Sequence, residues 1–156
     1  CAYELRTACL VKAMFCFWSL KGYERSKHST WAAAVQDAKH GVMRSVPITP
    51  DAFETSMREG VAAGTVTFTK AADLDFVIGQ YRTAFASAFS ENDAIMYQTL
   101  KWPDSRFEEL AAVLRYAREK GILKCTIMHL WGNDSTDKGK TAVEEAVKGT
   151  SINLRF

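Results

Sequence analysis

The chain lacks the short motifs that announce a reaction. It has no G-x-S-x-G, no H-E-x-x-H, no Gly-rich dinucleotide loop and no clustered carboxylates. Its three histidines, His28, His40 and His129, are scattered. Its four cysteines, Cys1, Cys9, Cys16 and Cys125, contain no C-x-x-C and no tight His spacing, so no metal or cofactor site is expected. Three of them lie among apolar neighbours, which reads as reduced, buried thiols in an intracellular, reducing compartment.

Long apolar runs are also missing. Leu10 to Leu20 is broken by Lys12 and reaches only about half of the ~20 residues a spanning helix needs. It would fit the apolar core of a signal peptide, but no small-residue cleavage site follows it. The sequence opens on Cys1 rather than Met, which suits a mature or truncated form. Charge of one sign is scarce, with a net +2 overall. Residues 1–50 hold seven Lys/Arg against three Asp/Glu, and residues 51–156 hold thirteen against fifteen. That asymmetry is too weak to call for a nucleic acid.

Proline is rare as well, at three residues, and two of them stand in Val46-Pro-Ile-Thr-Pro50. Prolines three apart hold a chain extended, so a boundary is expected there. It divides a helical N-terminal extension, 1–46, from a body at 47–156.

What is present is mostly helical period. Residues 2–20 read as a helix apolar nearly all round, with Leu5, Cys9, Met14, Phe15, Phe17, Trp18 and Leu20. Ser29-Thr30 caps a second helix, Trp31 to His40, stopped at Gly41. Thr49 and Pro50 open a third, with Phe53, Met57 and Val61 inward and Gly64 as its stop. Leu74, Val77, Ile78, Tyr81, Phe85, Ala88 and Phe89 give the best helix signal in the chain. Phe107 to Tyr116 is the next, with Leu110, Val113 and Leu114 inward. Short extended segments are expected at 66–69, 95–98, 126–131 and 152–156. The last three alternate with helices, so any sheet they form should be parallel.

The end of the chain carries the most regular pattern. Cys125, Met128, Leu130 and Asn133 follow the spacing L-x-x-L-x-L-x-x-N. Asn133 fits as the residue whose amide satisfies backbone groups where a strand turns. Asp137 and Gly139 then open a helix striped by Ala142, Val143, Ala146 and Val147. This stretch resembles the ribonuclease-inhibitor type of leucine-rich repeat, N-x-I-G-D-x-G-x-x-A-L-x-x-A-L-K. Tyr97-x-x-Leu100-x-Trp102-x-Asp104, followed by Phe107, Leu110, Val113 and Leu114, is similar to a degenerate first repeat. Such openings, behind a segment like Gly64-Thr-Val-Thr-Phe-Thr69, resemble leucine-rich families of some unicellular algae. The match covers roughly 48–156, and departs from the pattern at Ser135 and Pro103. The resemblance implies an α/β unit of about two repeats, a small parallel sheet with outer helices, and contact with a protein.

Three chemical motifs fall to plainer readings. Gly139-Lys140-Thr141 ends like a phosphate-binding loop, but Asp134 stands where that loop needs glycine, and a carboxylate there would repel phosphate. Cys125 and His129 would lie ~13 Å apart along a strand, too far for a thiol–imidazole pair. Asn133-Asp-Ser135 has the form of a glycosylation acceptor, yet the turn reading buries Asn133.

The expected function is therefore non-catalytic: a protein-interaction or structural module, an accessory subunit of a larger assembly. The residues expected to meet the partner are Phe15, Phe17 and Trp18 on the first helix, and Trp102, His129 and Trp131 near the sheet edge. Trp102 and Trp131 fall just past successive strands, so one shared surface patch is expected of them. The algal resemblance makes an organellar membrane complex, in the plastid, a candidate setting with peripheral contact and no transmembrane segment. Two other classes stay open. A pocket joining His40 or His129 to a carboxylate would mark an enzyme. Steep salt dependence of binding through residues 21–44 would mark a nucleic-acid binder.

Overall fold

The computed structural model describes residues 45–70 and 72–156. The expected helices at 2–20 and 31–40, and with them Phe15, Phe17 and Trp18, lie outside the described residues. Among the described residues, four helices and a three-stranded parallel sheet make a mixed α/β arrangement. They run α1 (Pro50–Ala62), α2 (Ala72–Ser90), β1 (Ala94–Met96), α3 (Asp104–Glu119), β2 (Ile127–His129), α4 (Asp137–Ala146) and β3 (Asn153–Arg155).

Helix α1 starts where Thr49 Oγ1 accepts the Ala52 N–H at 3.3 Å, with Pro50 at its first position. Proline there loses nothing, because that N–H has no partner within the helix. Phe53 and Met57 are buried, and Phe53 stacks on Tyr81 of α2 with centroids 3.8 Å apart. The Tyr81 hydroxyl donates to the Ile48 carbonyl at 2.8 Å, which ties the entering chain to α2. Outside this apolar seam, Arg82 holds Asp51 and Glu54, while Arg58 holds Glu54 and Asp75. Phe85, fully buried, meets Tyr116 of α3 edge-on at 5.8 Å. Helices α1 and α2 thus form a pair whose inner face continues into the α3 core.

The extended segment expected at 66–69 forms no strand. The Gly60 carbonyl takes both the Thr65 and Val66 N–H groups, so the chain is spent on closing α1. Val66 and Phe68 pack partly buried against the core instead.

Strand order is β1-β2-β3, and every pair is parallel. Ile95, Met128 and Leu154 stand in one row, as do Met96, His129 and Arg155 in the next. Alternation along a strand sends these rows to opposite faces. Ile95 and Met128 are buried at 6% and 0% exposure, together with Leu130 at 1%, under α3 and α4. Burying each such side chain contributes roughly 1.5–3 kcal/mol, which fixes the register.

Candidate partner-binding surface

Asn133 organises the exit from the sheet. Its Oδ1 accepts the Leu100 N–H at 3.0 Å and the Trp102 N–H at 3.1 Å. Its Nδ2 donates to the Tyr97 and Leu130 carbonyls, each at 2.7 Å. One amide therefore joins the segments that leave β1 and β2, and leaves none of its own capacity for an attached glycan. Thr99 and Lys101 take positive φ of 55° and 56° to present those N–H groups. Gly132, at φ +72°, lies so near that a Cβ would come within 2.9 Å of the Thr99 methyl.

Asp104 makes the second join. Its Oδ1 accepts from the Thr136 and Gly139 N–H groups at 2.7 and 3.2 Å, and its Oδ2 from the Thr136 hydroxyl at 2.7 Å. The hydroxyl bond, followed by the Thr136 backbone N–H, holds the Asp104 carboxyl below its ordinary range. The first turn of α4 is thereby filled by a carboxylate, where a phosphate-binding loop would need open N–H groups. Lys140 turns instead toward Asp137, at 3.8 Å.

Among the described residues, one face of the sheet is left open. Ala94, Met96, Ile127 and His129 are half-buried, and Asn153 and Arg155 are exposed. None of the six belongs to the hydrophobic core, and the apolar ones do not pack against it. Just beyond β2, Trp131 is 47% exposed. The register that pairs Ala94 with Ile127 extends to set Gln98 beside Trp131. Gln98 Oε1 is buried and has no hydrogen-bond partner among the described residues.

The residues expected to meet a partner divide accordingly. His129 lies on the open face, and Trp131 borders it. Trp102 does not join them. It is 3% exposed, with its ring 5.1 Å from that of Tyr97 in the core. The shared patch of Trp102 and Trp131 is thus corrected: Trp131 is exposed, whereas Trp102 is packed into the core. Cys125 is 2% exposed, and burial pushes its thiol up to about 11, whereas His129 faces outward. Among the described residues no group of His, Cys, Asp and Glu could hold a metal ion. No helix among them is long and apolar enough to cross a membrane.

Sequence reasoning missed Met96, Gln98 and Arg155. The period-2 rule would have found the first two, because Ile95 and Tyr97 are inward and their neighbours must face out. Comparison with family models, with curated proteins and with solved structures finds no match to this chain.

Proposed function

We propose that this chain is a non-catalytic protein-interaction module of the leucine-rich kind, an accessory subunit that meets its partner protein through the open face of its sheet. The observation that carries the reading is the row of half-buried Met96 and His129 and exposed Arg155, bordered by exposed Trp131, on a sheet whose other face is closed by helices. Methionine, arginine and tryptophan are enriched in protein interfaces, and an exposed tryptophan at the end of a strand is a candidate anchor. Rigidity comes from Asn133 and Asp104, which lock successive strand–turn–helix segments together. Those two joins, with the Asn-turn spacing, support the leucine-rich assignment.

The test is co-purification under mild detergent and moderate salt. The wild-type chain is expected to bring down a partner at fixed stoichiometry, and Trp131→Ala with Arg155→Glu to lose it while keeping the wild-type melting temperature. A partner retained by that folded variant would contradict the reading.

A further inference from the structure

The open face has a chemistry of its own, and this inference rests on the interface reading above. Two side chains capable of positive charge, His129 and Arg155, are register neighbours on adjacent strands, which places their backbones about 4.8 Å apart. The other face residues, Ala94, Met96, Ile127, Asn153, Gln98 and Trp131, include no carboxylate. Asp134, in the turn beyond Trp131, is already paired with Lys101 at 3.6 Å. Arg58, Arg82 and Arg106 each hold a carboxylate of this chain, whereas Arg155, like Arg115 and Arg118 on α3, makes no ion pair among the described residues. A guanidinium left unpaired on a rigid strand favours bidentate capture of a carboxylate.

We infer that the occupant of this face is an acidic, extended segment of the partner protein. It sets an Asp or Glu carboxylate on Arg155 and His129, and an apolar side chain against Trp131 and Met96. Charge complementarity selects it, since the described residues of this face offer the Arg155 guanidinium and no carboxylate.

The probes are two fluorescein-labelled peptides, one alternating Leu with Asp and the other Leu with Asn, titrated into the full chain by anisotropy at low salt. The Asp peptide is expected to bind at least about tenfold tighter, a factor corresponding to ~1.4 kcal/mol. Arg155→Glu should abolish that preference. Arg115→Glu changes net charge equally on exposed α3 surface and should preserve it. Equal affinity for both peptides, or a preference that survives Arg155→Glu, overturns the inference. If co-purification nevertheless fails in the Trp131/Arg155 variant, the interface stands and only the acidic partner falls. A preference lost in Arg115→Glu but kept in Arg155→Glu moves binding to the helical layer and overturns both.

Discussion

Asp104 and Gly139 are in direct register across two helices: a Cβ at position 139 would lie 2.6 Å from Asp104 Oδ1 and 3.1 Å from the Asp104 Cα. The glycine is there for that approach. Gly139→Ala should gain up to about 1 kcal/mol of helix propensity and lose about 1–3 kcal/mol to the clash and the disturbed cap. Net destabilisation in urea denaturation is the expected outcome. A more stable variant would mean the two segments are not held so close.

Asn133→Ala leaves two N–H groups and two carbonyls without their partner. Each buried group so stranded costs about 1–3 kcal/mol, so even with water reaching some of them a loss of about 3 kcal/mol is expected. Chemical denaturation checks it. A change within the ~0.5 kcal/mol typical of surface positions would contradict the turn.

Asp104 gives a pH signature. Its carboxyl lies below the ordinary 3.8 in the folded chain, through the Thr136 hydroxyl first and backbone N–H groups after it. A depressed folded value contributes stability that is complete above the unfolded value and fades as pH falls through the folded one. The melting-temperature gap between wild type and Asp104→Asn should therefore hold at pH 5 to 7 and narrow below 3.8. A gap independent of pH would show that the ionised form is not what caps α4.

Cys125 should be inert. With its thiol raised to about 11 by burial, roughly one molecule in a thousand carries the thiolate at pH 8. Peptide mapping after iodoacetamide should find Cys125 unmodified in the native chain and modified in urea. Rapid native alkylation would place it at the surface.

The elements that obey a period were legible in the sequence. Phe53 and Met57 in α1, the Ile78-to-Phe89 stripe in α2, and the parallel order of the three strands all follow from spacing and alternation. Asn133 was legible too, because an amide at a strand exit has few other uses. The surface around it was not. Trp102 turns inward because Thr99 and Lys101 adopt positive φ, a conformation their residue types do not announce. Arg155 gained meaning only from a register that sets it beside His129, a long-range pairing no local pattern carries.

The most direct test of the account asks which face touches the partner. A photo-crosslinking phenylalanine derivative would be installed at Met96 or Arg155 on the open sheet face, and at Arg115 or Glu144 on the exposed helical layer. Each chain would be irradiated in its native complex, and each adduct identified by mass spectrometry. Crosslinks to one and the same protein from positions 96 and 155, and none from 115 and 144, are the predicted result. Crosslinks confined to 115 and 144 would contradict the account.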